Sequence, residues 1–364
     1  MNTSKLENIE AIALIAIIMA NQIILNIPKI IITSTGSAAW INTIYIGIIA
    51  IITAYLIVKL FKNFPGLDII DISNYLGGKF LKILMGIAYI VFFITISIFI
   101  TRNFSETLKT IYFTSSPIIF LILFFVVSAC IANQFGIKVI AKVNLIIAPV
   151  ALISILIILF STFKNFVPQR LYPILGYGVD KTFVSGLTNI FSFTGLAYLF
   201  FLQPLLKKEK SFKKISIISI IISSIYLFLS VTCLLLVFSF IIDSNESISI
   251  YLLTRMARYG DIIQRANAIF IFIWILSITS YVSISIFFAL HVTKKLVNLS
   301  NTNPVNYSFA SLILGFALLI KNFDETISLI LKYSILIFIF GVNICILTLA
   351  NIKYKFLNKK NNTT

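Results

Sequence analysis

Three groups of neutral hydrogen-bonding residues lie inside apolar stretches of this chain, where unpaired polar groups are costly. Asn21, Gln22 and Asn26 precede Pro28 in the first stretch. Ser192, Phe193, Thr194 and Gly195 precede Pro204 in the sixth, and Ser277 and Tyr281 lie in the eighth with Trp274, Thr279 and Ser280. Amides and hydroxyls hold a polar head group by hydrogen bonds. Gly195 permits close approach of the backbone, and Phe193 can wall an apolar side chain. Ser277 and Tyr281 are four apart, so on a helix they share a face. The chemistry on offer is reversible binding of a small neutral or zwitterionic solute. Each group also has a plainer reading. Proline-kinked helices bond their own polar side chains, and small hydroxyl residues are routine where membrane helices pack. Tyr89, Thr95 and Ser97 of the third stretch fit packing best.

Catalysis finds little support. Glu10, Asp68, Asp71, Glu106, Asp180, Asp243, Asp261, Asp324 and Glu325 all fall at the ends of stretches or between them. Proton-coupled carriers bury an ionisable group, so this distribution argues against proton coupling. It leaves open a sodium site of hydroxyls and carbonyls. Cys130, Cys233 and Cys345 read as small buried residues, without disulfide or metal spacing. The single histidine, His291, stands beside Lys294 and Lys295. No enzyme activity, metal or other cofactor is expected.

These residues need a membrane to position them. Hydrophobic residues make up 59% of 364 and charged residues 11%, where soluble domains average about 25% charged. Mean hydropathy is +1.05. The chain is expected to be an all-α polytopic membrane protein of about ten transmembrane helices. Their expected ranges are 9–32, 38–60, 80–103, 117–135, 143–163, 187–206, 215–241, 264–291, 305–320 and 331–352. The first apolar run lacks the cleavage pattern of a signal peptide. Proline breaks a helix before itself, and the interrupted first and sixth spans are five apart. Such a pair points to a transporter-type fold with a binding site near mid-bilayer.

Charge sets the expected topology. With a cytoplasmic N-terminus, 18 of the 29 basic residues fall inside, including Lys207, Lys208, Lys210, Lys213 and Lys214. Both termini are then cytoplasmic. The net charge of +17 therefore reads as topology and contact with membrane lipid, not nucleic acid. Outside, 164–186 reads as a packed re-entrant or capping loop. The stretch 245–263 reads as a short amphipathic helix on the membrane surface.

Several passages together resemble the endospore germination permease family, the B subunits of spore germinant receptors. "AAWINTIYIGIIAIITAYLIVKLFKNFPGLDIIDISNYLGGKFLKILMG" is similar to that family's second span and following loop, marked by Trp40, Lys59-Leu60, Phe64-Pro65 and Gly77-Gly78. "PQRLYPILGYGVDKTFVSGL" resembles its external loop before span six, and "QRANAIFIFIWI", with Arg265 and Trp274, its entry to span eight. The resemblance implies a fold like the amino acid–polyamine–organocation carriers (LeuT-like). A single transporter-like domain, 1–364, then holds two inverted five-helix repeats, about 9–163 and 187–352. It implies an amino acid or similar germinant held between spans one, three, six and eight. It also implies A and C partner subunits in the spore inner membrane. Asn21 and Ile23 stand where relatives carry small residues, so an Asn21 or Asn26 amide takes the place of bare backbone. Gln264 and Asn267 replace acids, removing any ion pair from those positions to Arg265.

The expected function is germinant sensing through a mid-membrane site of Asn21, Gln22, Asn26, Phe193, Thr194, Gly195, Ser277 and Tyr281. The alternative is an amino acid permease, sodium-coupled or facilitative.

Overall fold

In the computed structural model the described residues are 5–24, 27–238, 253, 266–320, 332, 333 and 335–361. Among them the chain is helical, with one isolated backbone bridge between Leu6 and Leu206. Among the described residues seven helices are long and apolar enough to cross a membrane, or eight with a bent pair taken as one span. Asn8–Ile23 and Asn303–Leu319 are shorter apolar helices. The chain is an all-α polytopic membrane protein.

In the first expected span the described helical segments are α1 (Asn8–Ile24) and α2 (Ile27–Thr35). Pro28 is the second residue described in α2. α3 (Ala39–Phe61) follows and packs on α8 (Phe212–Val237). α4 (Ile69–Ile111) is two helical segments joined at a kink where Gly77 and Gly78 leave helical geometry, so the second begins where 80–103 is expected and runs on to Ile111. Gly78 has φ 64°, which an L side chain rarely adopts. Arg102, expected at a span end, consequently lies within α4. It is buried, with its guanidinium on Ala317 O at 3.3 Å and on Glu106 at 3.3 Å.

α5 (Ile118–Phe135) and α6 (Ile137–Ser161) follow the expected spans four and five. The sixth span is the bent pair. A 3-10 segment, Ser185–Phe193, meets α7 (Gly195–Leu202) at Thr194, and the axis turns by 51° between Asp180–Phe193 and Gly195–Leu205. The break is thus set by Thr194 and Gly195. Pro204 sits ten residues further on, in the 3-10 turn that ends α7, so the proline marked the wrong end of the span.

α9 (Ala266–Val297), α10 (Asn303–Leu319) and α11 (Ile344–Asn361) complete the bundle. α9 packs on α4, α5, α6 and α1. Several of its polar residues are paired across to neighbouring helices, as hydrocarbon favours: Ser280 Oγ donates to Asn144 Oδ1 at 2.5 Å, and Asn133 Nδ2 to Ser283 O at 3.0 Å. Cys130 and Cys233 are buried as expected, but Cys345 is exposed, on the outer face of its helix.

The loop before the sixth span caps the end of α2. Ser37 Oγ donates to Pro173 O at 2.6 Å, and Tyr177 N to Thr35 O at 3.4 Å. Gly176, at φ 52°, lies so close that a Cβ there would fall 2.1 Å from Thr35 O. The expected surface helix 245–263 lies outside the described residues, apart from Leu253, which is buried.

Candidate functional site

Asn21 and Gln22 occupy the last described turn of α1. Thr194 begins α7, and its side chain makes no capping bond to that helix. Its hydroxyl is instead turned to the neighbouring helices. Gln22 Nε2 donates to Thr194 Oγ1 at 2.7 Å and to Tyr281 OH at 3.1 Å. The two hydroxyls are 3.3 Å apart. One amide thus ties together α1, the bend of the sixth span and α9.

A second link lies beside the first. Asn21 Nδ2 donates to Ile17 O at 2.8 Å, within its own helix, and to Ser277 O at 3.1 Å. Ser277 Oγ returns a bond to Asn21 Oδ1 at 3.0 Å. Asn21, Gln22, Thr194, Ser277 and Tyr281 are all buried. Each partner is neutral, so the group carries no net charge. It offers amide and hydroxyl donors and acceptors to whatever replaces these mutual bonds.

The structure brings five of the eight expected residues into two neighbouring hydrogen-bonded sets. Gly195 plays another part. A Cβ there would lie 2.6 Å from Met19 Sδ, so glycine is what lets α7 approach α1. Phe193 is buried in the apolar core and Asn26 lies outside the described residues.

Sequence reasoning overlooked Tyr198. Its hydroxyl is 2.6 Å from Ser285 Oγ, and its ring centroid is 6.2 Å from that of Tyr281. The signal was present, since Tyr198 is four residues after Thr194 and Ser285 four after Tyr281. Below them Phe93, Phe201 and Phe288 pack ring on ring, with centroids 5.5–5.8 Å apart. Tyr89 joins them at 4.5 Å from Phe201, and its hydroxyl donates to Asn343 Oδ1 at 2.8 Å.

Asp68 was also passed over as peripheral. It is the first residue before α4, yet it is wholly buried. Its Oδ1 accepts from Ile70 N and Asp71 N, both at 3.1 Å, capping the helix. Its Oδ2 lies 3.1 Å from His291 Nε2 and 2.5 Å from Lys295 Nζ. Burial alone would raise the Asp68 pKa, but the His291 hydrogen bond and the Lys295 charge outweigh it. The carboxyl is held well below the usual range.

A family model described as spore germination protein matches residues 5–328 of this chain. Spore germination protein YndE of Bacillus subtilis is 25% identical over 281 residues, which span 76% of this chain and 77% of that protein. Spore germination protein A2 of the same organism is 24% identical over 301 residues, 81% of this chain and 82% of its own length. Spore germination protein B2, also from that organism, is 24% identical over 233 residues, 64% and 63%. With nine-tenths of its length matched by that model, the chain belongs to the spore germination protein family.

Proposed function

We propose that this chain is the ligand-sensing membrane subunit of a spore germinant receptor, and that its ligand is a small nutrient, foremost an amino acid. The observation that carries the reading is the Gln22 amide shared between Thr194 and Tyr281. It joins α1 and the bend of the sixth span to α9, at a place where any one of them moves only by exchanging hydrogen bonds. A solute with an ammonium, carboxylate or hydroxyl group supplies the replacement bonds. It favours one arrangement of α1, α7 and α9 over another only through that difference in affinity.

Within this reading the chain forms ten spans in two inverted five-helix repeats, about 9–163 and 187–352. Both termini face the cytoplasm from the spore inner membrane. The change of shape passes to A and C partner subunits. The names of the relatives support a role in germination, and the uncharged character of the Gln22 group supports a neutral or zwitterionic ligand.

The test is germination of spores lacking this gene, in a strain without redundant receptors, against each proteinogenic amino acid in turn. Dipicolinate release is followed. Loss of the response to one amino acid, restored by the wild-type gene but not by Gln22→Ala, is the expected result. An unchanged response to all of them, together with net amino acid uptake by the purified chain in liposomes, would replace the sensor with a permease.

A further inference from the structure

Two stripes of side chains descend from the Gln22 group in register. On α7 they are Thr194, Tyr198 and Phe201; on α9 they are Tyr281, Ser285, Phe288, His291 and Lys295. These spacings of three and four keep each set on one helix face. Their contacts follow in order. Thr194 meets Tyr281 at 3.3 Å, and Tyr198 meets Ser285 at 2.6 Å. The Tyr198 ring then lies 5.4 Å from Phe288, and the Phe201 ring 5.8 Å from Phe288 and 6.5 Å from His291. Tyr281 and His291 are ten positions apart, about 15 Å along a helix.

At the lower end of both stripes the bundle is fastened twice. Beyond α7, Leu6 N donates to Leu205 O at 2.7 Å and Lys207 N to Leu6 O at 2.8 Å, fixing the N-terminal segment across the end of α7. From the last turns of α9, Lys295 and His291 converge on Asp68 Oδ2, and Lys295 also pairs with Asp71. The two oxygens of Asp68 divide the work: Oδ1 caps α4, while Oδ2 is given wholly to α9. A carboxylate buried this completely is costly to leave unpaired. Separating α9 from the start of α4 therefore carries a charge penalty that no apolar contact at this end would impose.

We propose that Asp68, His291 and Lys295 form a latch that holds this end of the bundle shut, and that α7 carries the effect of ligand binding at Gln22, Thr194 and Tyr281 down to it. This rests on the ligand site proposed above. Binding that draws Thr194 from Tyr281 tilts α7 as one rigid piece, because its eight residues are all buried between neighbours. Phe201 then shifts against His291, and Leu205 against Leu6. The latch sets the threshold, so weakening it releases the response without ligand.

The experiment uses spores of the native strain carrying Asp68→Asn, which keeps a capping oxygen but removes the charge facing Lys295. Dipicolinate release is followed with no nutrient added. The expected result is release about tenfold faster than in wild-type spores, the factor expected for one charge-assisted contact. Lys295→Gln leaves the cap untouched and is expected to release spontaneously as well, so it decides the matter if Asp68→Asn does not accumulate. Combining Asp68→Asn with Gln22→Ala separates the two proposals. Spontaneous release that survives Gln22→Ala places the latch downstream of the site. Normal spore dormancy in both latch variants, with the chain present at wild-type level, overturns the latch, whatever Gln22→Ala does to the nutrient response. A nutrient response untouched by Gln22→Ala, alongside spontaneous release in Asp68→Asn, overturns the site and leaves the latch standing.

Discussion

Tyr281→Phe is the sharpest probe of the ligand site, because it deletes one oxygen and keeps the ring. That oxygen accepts from Gln22 Nε2 at 3.1 Å and lies 3.3 Å from Thr194 Oγ1. Its loss orphans nothing, since Gln22 Nε2 retains Thr194 at 2.7 Å. The fold should lose about 1 kcal/mol or less. If the phenol also bonds the ligand, a similar free energy is lost from binding. The nutrient concentration for half-maximal germination then rises about fivefold for a neutral ligand group, and by about tenfold or more for a charged one. Tyr89→Phe is the control. It removes an equally buried hydroxyl, bonded to Asn343 at 2.8 Å, from outside the Gln22 group. Thermal unfolding of the purified chains should show a loss of about 1 kcal/mol or less for Tyr281→Phe and about 1–3 kcal/mol for Tyr89→Phe, which takes the donor from buried Asn343 Oδ1. Dose–response curves of spores should move only for Tyr281→Phe. If both curves move equally, or neither moves, the Gln22–Thr194–Tyr281 group is structural and the reasoning fails.

Three further outcomes follow from the packing. Gly195→Ala should respond nearly normally, because Met19 is flexible enough to yield, whereas Gly195→Trp should abolish the nutrient response; both are read by dipicolinate release beside an immunoblot for the chain. Gly176→Val should lower the melting temperature, with a loss of about 1–3 kcal/mol, since its left-handed backbone and the nearby Thr35 carbonyl both resist a side chain. Asp68→Ala should be less stable than Asp68→Asn by about 1 kcal/mol in thermal unfolding, the worth of the lost helix cap.

The elements and part of the site were legible in the sequence, for one physical reason. A polar residue inside an apolar stretch must find a partner, and that obligation is visible before the partner is known. Asn21, Gln22, Thr194, Ser277 and Tyr281 stood out on that ground, and they meet. Gly195 stood out as well, for exposing backbone to a ligand, and the structure places Met19 against it. Pro204 misled, because a proline shows where a helix cannot continue and not which of several weak points bends.

Asp68 was illegible for the opposite reason. An aspartate at the start of a helix is already explained by capping, so nothing in its neighbourhood demands a further partner. Only the folding of α9 across α4 brings Lys295, 227 positions away, onto its second oxygen. The two cases differ in where the cost of burial falls. In the Gln22 group the cost is imposed by the span itself and is written into local composition. In the Asp68 cluster it is imposed by tertiary closure, and it exists only while that end of the bundle is shut. A charge whose burial depends on closure is a charge that registers closure. That makes Asp68, an ordinary cap by sequence, the residue whose neutralisation reports most directly whether the bundle opens.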